Sequence, residues 1–150
     1  MIEKIRREFN PVQYELISAH VTLCREDEIT PIDNVLENIK SIKLDQPLII
    51  RFDTVDRFEN GKGVWLSASA DNKQFQELRM EILKGVSDTP RQLPPHVTLM
   101  HPRNSNCTDD KFYRIKQYKL PTKLLFDKIS LIEQRNGGRW TILDEFEILA

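Results

Sequence analysis

Cysteine is nearly missing from this chain of 150 residues, which carries only Cys24 and Cys107. The two form no CxxC or other ligand-like spacing, and a small secreted domain held by disulfides carries more, so a reducing cytoplasm is the expected compartment. No apolar run approaches the roughly 20 residues of a membrane helix. The N-terminal stretch MIEKIRREF is charged and amphipathic where a signal peptide would be apolar. A soluble chain with no membrane partner is expected. Surplus positive charge is missing too: 22 Lys and Arg stand against 23 Asp and Glu, leaving a net charge of −1. That balance excludes the extended basic footprint of a duplex-DNA binder, yet leaves room for a local site for one phosphate or one RNA end. Histidine is scarce as well, at three residues. Two of the three head the same tetrapeptide.

That tetrapeptide, HVTL, spans His20 to Leu23 and again His96 to Leu99, 76 residues later. Asn136-Gly137 follows Asn60-Gly61 by 76, Trp140 follows Trp65 by 75, and Phe126-Asp127 follows Phe52-Asp53 by 74. Four landmarks at one interval indicate an internal duplication. We place a soft boundary near Ala70, which makes a single domain of two lobes, about residues 1–70 and 71–150, with exchange of terminal elements between them left open.

Each half reads as helix, HVTL strand, helix and hairpin. In the second leading helix, Phe75, Leu78, Ile82 and Leu83 share one face. After the first HVTL, Thr30 and Pro31 suit a helix start, and Ile32, Val35, Leu36, Ile39 and Ile42 form a stripe. TDDKFYRIKQY is its shorter counterpart. Each half then gives two strand-like runs across an Asn-Gly turn. The expected fold is α+β: two antiparallel sheets facing a central cleft, helices on the outer faces, related by a pseudo-twofold axis.

Side chains alternate along a strand, so His20 shares a face with Thr22, and His96 with Thr98, while Val21, Leu23, Val97 and Leu99 face the covering helices. Sheets that face each other bring the two pairs to one groove from opposite sides. Imidazole titrates near pH 6.5, so one ring can remove a proton from an attacking oxygen while the other protonates the leaving oxygen. Threonine hydroxyls suit the non-bridging oxygens of a phosphodiester. This chemistry requires neither metal nor other cofactor. A single strand histidine is more often structural, but the paired motif shifts the balance toward catalysis.

The remaining candidates weigh less. His101 lies five residues after His96, on the opposite face of a continuous strand, which disfavours a zinc site. Cys24 shares the His20 face, but Met100 is its counterpart, so a small buried residue is the simpler reading. Arg25 and Arg103 follow the motifs and are candidate substrate-binding residues. Trp65 and Trp140 argue first for core. REDE at 25–28 and TDDK at 108–111 read as solvated helix entries.

Paired HVT motifs at 20–22 and 96–98 in a duplicated chain resemble the 2H phosphoesterase superfamily, which includes the 2′-5′ RNA ligase-like proteins and cyclic phosphodiesterases. The likeness covers the whole layout, and PPHVTLMHPR is its most family-like segment. It implies a cleft between lobes, His20 and His96 as the acid/base pair, and Thr22 and Thr98 as phosphate ligands. Implied substrates are 2′,3′-cyclic phosphates or 2′-5′ linkages of a nucleotide or RNA end, handled by a monomer. Bacterial members acting on RNA ends often carry arginine five positions after the second motif histidine; here His101 stands there, and the nearest arginine is Arg103. The rival reading is a non-catalytic module that holds a nucleotide or RNA end in the same cleft. A metal-assisted hydrolase is a third.

Overall fold

The computed structural model describes residues 1–69 and 71–150, so the boundary near Ala70 falls outside the described residues. Among the described residues, five α-helices and six strands follow one another: α1 (Ile2–Phe9), α2 (Pro11–Leu16), α3 (Ile32–Lys40), β1 (Leu48–Phe58), β2 (Gly63–Ala68), α4 (Lys73–Ile82), β3 (His96–Met100), α5 (Asp109–Lys116), β4 (Lys123–Phe126), β5 (Lys128–Glu133) and β6 (Thr141–Glu147). A short 3-10 turn covers Glu26–Glu28. The fold is α+β with two antiparallel sheets, one of four strands in the order β3-β2-β1-β4 and one of two, β5-β6. No helix among the described residues is long and apolar enough to cross a membrane.

Local signals formed as expected. The hairpin β1–β2 turns through Asn60 and Gly61, and β5–β6 through Asn136 and Gly137, all four with positive φ. Such turns match the twist of the strands they join. The α4 stripe is core: Phe75, Leu78, Ile82 and Leu83 are all buried. Val35, Ile39 and Ile42 of the α3 stripe are buried, whereas Ile32 at its outer end is exposed. Pro31, rather than Thr30, occupies the cap of α3. Thr108 caps α5 by accepting the Lys111 amide at 3.2 Å.

The strand pairing departs from one sheet per half. The first half's hairpin pairs with the second half's HVTL strand, since β2 lies beside β3, and with β4 through β1. The second half's hairpin forms its own sheet. Its connecting loop returns to the first half: the Trp140 amide donates to the Leu16 carbonyl at 2.9 Å. Pairing is decided by which exposed edges meet in three dimensions, which a periodic sequence pattern does not specify.

One irregularity prepares the site. The β1–β2 register shifts between Phe52 and Thr54. Before the shift Leu48, Ile50 and Phe52 face the core; after it Val55 and Arg57 lie opposite Leu66 and Val64 on that side. An extra residue in one strand reverses its alternation. Thr54 and Asp56 therefore join Ser67 and Trp65 on the opposite face, the face of His96 and Thr98.

Candidate active site

The two HVTL copies lie side by side, not on two facing sheets. Val21 forms an antiparallel bridge with Val97. This register sets His20 opposite Thr98 and Thr22 opposite His96, all four on the face away from the valines. The histidines occupy one diagonal of the patch and the threonines the other. The two motifs meet at one sheet edge, across the Val21–Val97 bridge.

The second copy is regular strand, its Val97 and Leu99 buried. The first copy is not a strand: beyond the Val21 bridge its backbone relies on side chains. Glu3 accepts the Ala19 amide at 3.3 Å, and Arg79 donates to the Leu23 carbonyl at 2.6 Å. Despite this difference the rings are held alike. His20 Nδ1 lies 2.8 Å from the Ser18 carbonyl and His96 Nδ1 lies 3.1 Å from the Pro94 carbonyl, in each case two residues upstream. A carbonyl only accepts, so each Nδ1 carries the proton and each Nε2 stays free to accept or donate.

Both imidazoles titrate below their ordinary value. For His20 the main cause is burial of the ring; the Arg6 charge adds to it, while the Ser18 bond and Glu3 oppose it. For His96 burial again leads, opposed by the Pro94 bond and reinforced by Arg25 and by His20 itself. A proton on one ring thus disfavours a proton on the other, which disfavours the doubly protonated pair. Arg25 is close enough to act on His96. The Arg103 amide donates to His101 Nδ1 at 3.1 Å; burial lowers the pKa of His101, and the Arg103 charge adds to it.

Neither tryptophan is buried core, and Trp65 lies against this patch. Trp65 is half-buried, with its ring 4.4 Å from the His96 ring and 4.3 Å from Phe58, on which it stacks. Gly63 makes that stack possible, because a Cβ there would lie 2.5 Å from the Phe58 ring. Next to Trp65, Asp56 Oδ2 accepts the Thr54 and Ser67 hydroxyls at 2.8 and 2.7 Å. On the other side a cavity of about 490 Å³ opens beside His20 and Thr22, walled in part by Lys128, Arg139 and Trp140. Alternation of β1 and β2 alone did not reveal the Asp56 cluster, because the bulge reverses it.

Cys24 packs half-buried against the core, and burial pushes its thiol up to about 11, so it is protonated at neutral pH, as a structural rather than a nucleophilic cysteine would be. One further expectation changes. Glu28 in REDE is no solvated helix entry: its side chain is 9% exposed and pairs with the buried Arg79 at 2.6 Å. Arg79 itself escaped the sequence reading although it stands in the apolar stripe, directly after Leu78.

A Bacillus licheniformis protein named as a candidate phosphoesterase is 22% identical over 146 residues, covering 94% of this chain and 86% of the relative. The crystal structure of E. coli LigT in apo form superposes with a TM-score of 0.61 at 16% identity, covering 99% of this chain and 91% of LigT. LigT complexed with NADP+ gives a TM-score of 0.58 at 14% identity, with coverage of 99% and 91%. Those likenesses show the fold. The sequence model of one family, moreover, matches residues 1–138. With paired HVT motifs inside that span, the chain belongs to the 2′-5′ RNA ligase superfamily, among the 2H phosphoesterases.

Proposed function

We propose that this protein is a phosphodiesterase acting on a ribose-linked phosphodiester, a 2′,3′-cyclic phosphate or a 2′-5′ linkage of a nucleotide or RNA end, with His20 and His96 as its acid/base pair. Membership of the superfamily supports an enzyme of phosphodiesterase type. The observation that carries the finer reading is the matched tethering of the two rings, each Nδ1 on the carbonyl two residues upstream and each Nε2 free. A binding module has no need of two rings held in the same tautomer. LigT has been crystallised with ATP, NADP+ and 3′-AMP, which supports a nucleotide as the ligand here.

In this reading the neutral ring takes a proton from water through Nε2 as the water oxygen attacks phosphorus. The bond from phosphorus to one ribose oxygen breaks in line, and that oxygen receives the proton of the other ring's Nε2–H. Hydroxyl goes to phosphorus and hydrogen to the ribose oxygen, so the two proton transfers need no metal. Thr22 and Thr98 donate to the non-bridging oxygens, where charge builds up. Arg25 adds positive charge on the His96 side, and Trp65 and Trp140 offer faces on which a base can stack.

The test incubates the pure protein in EDTA with 2′,3′-cyclic nucleotides, 2′-5′ dinucleotides and an RNA ending in a cyclic phosphate. Turnover in the wild type, lost in both His20→Ala and His96→Ala, is expected. Full activity in either variant removes the acid/base pair. Tight binding without turnover identifies a binding module, and chelator-sensitive turnover identifies a metal-assisted hydrolase.

A further inference from the structure

The leading helix of each half carries an arginine inside its buried stripe. In α1 the stripe is Ile2, Ile5, Arg6 and Phe9; in α4 it is Phe75, Leu78, Arg79 and Ile82, the same spacing displaced by 73 residues. Both arginines are buried, at 2% and 1% exposure. Arg6 pairs with Glu3 and donates to the Ile17 carbonyl at 2.6 Å, gripping the backbone just before His20. Arg79 does more. Its Nη1 donates to the Leu23 carbonyl at 2.6 Å, immediately after Thr22, and its Nη2 donates to the Arg91 carbonyl at 2.8 Å, upstream of His96. Glu28 neutralises it through Nη2 at 2.6 Å.

One planar guanidinium thus joins the exit of the first motif to the approach of the second. Lysine has the charge but not the fork. Stability alone explains this poorly, since a buried ion pair seldom gains on apolar side chains of equal volume. Arg79 Nε, moreover, has no hydrogen-bond partner among the described residues, a further penalty. Its contacts fall where the fold needs them, because the first motif is joined to the sheet by a single bridge.

We propose that Arg79, with Arg6 as its counterpart, is a positioning residue that holds the two histidine-bearing segments in register. Its catalytic consequence rests on the two-histidine reading above. The test compares the wild type, Arg79→Lys, the charge-free double variant Arg79→Met/Glu28→Gln, and Ile115→Ala, a core change in α5 distant from these contacts. At a temperature where circular dichroism shows every protein folded, the double variant is expected to lose about 10- to 100-fold in kcat with KM nearly unchanged, as misplacement of reacting groups produces. Arg79→Lys should recover part of that loss, and Ile115→Ala should keep the wild-type kcat. A wild-type kcat in the double variant, or a loss no larger than that of Ile115→Ala, overturns the proposal. Should the double variant not fold, Arg79→Lys against Ile115→Ala carries the same comparison.

Amide hydrogen exchange over residues 19–24 and 96–98 reads the register without any substrate. Faster exchange there in the Arg79 variants, and not in Ile115→Ala, supports the positioning role even if the chain turns over nothing. Unchanged exchange overturns it even if the histidines prove catalytic.

Discussion

The two HVTL copies share four residues and differ in backbone. His96–Met100 is ladder strand with Val97 2% and Leu99 1% exposed, whereas residues 20–23 hold one bridge at Val21, and Val21 and Leu23 are half-buried. Both nonetheless present an imidazole fixed through Nδ1 to the carbonyl two residues upstream. The comparison separates two requirements. Ring orientation follows from the local chain, while depth in the sheet follows from which strands arrive to pair.

The largest expected effect tests whether the two copies are equal in function. His20→Ala and His96→Ala should each lower kcat on a 2′,3′-cyclic nucleotide by about 10²–10⁴. A mild loss at His20 alone would mean that only the regular strand produces a working imidazole. For stability the copies should differ: Leu99→Ala should cost about 2–5 kcal/mol in urea unfolding. Leu23→Ala, from a half-buried site, should cost clearly less, and equal values would erase the distinction.

Acid should loosen the first copy before the second. Glu28 is held at about 2, well below its ordinary 4.5, by hydrogen bonds and charge from Arg79, the Arg25 amide and Arg91, which outweigh its burial. A lowered carboxylate stabilises fully above the unfolded value, and that contribution fades as pH falls from 4.5 toward 2. Denaturation followed across this window should lose the dependence in Glu28→Gln, and hydrogen exchange in the wild type should rise at 19–24 before 96–100. Simultaneous loosening would show that Glu28 does not brace the first copy selectively.

The smallest effect is in the pH profile. Both imidazoles are lowered from 6.5. The base must lose its proton and the acid must keep one, so kcat/KM should peak below pH 6.5 and decline as pH rises through neutrality. An optimum at alkaline pH would show that the rings do not titrate as their burial dictates.

Much of this was legible in the chain. The Asn-Gly hairpins, the α4 stripe and the alternation of β3 rest on local periodicity and turn chemistry, which act over a few residues. Arg6 and Arg79 were legible in principle, as cations at equivalent places in two apolar stripes. The position of Trp65 was not, because it depends on which edge of β2 receives β3 and on Gly63 clearing space for Phe58.

The amino-acid order by itself determined that two imidazole-hydroxyl pairs exist, each on a side opposite its aliphatic anchors, since alternation along an extended chain is a property of the backbone. Only the tertiary structure decided that the first half's hairpin would join the second motif, that a slip after Phe52 would turn Asp56 toward the site, and that one buried guanidinium would span both motifs. Those outcomes depend on contacts between residues far apart in the chain, whose pairing is chosen by the packing of the whole molecule.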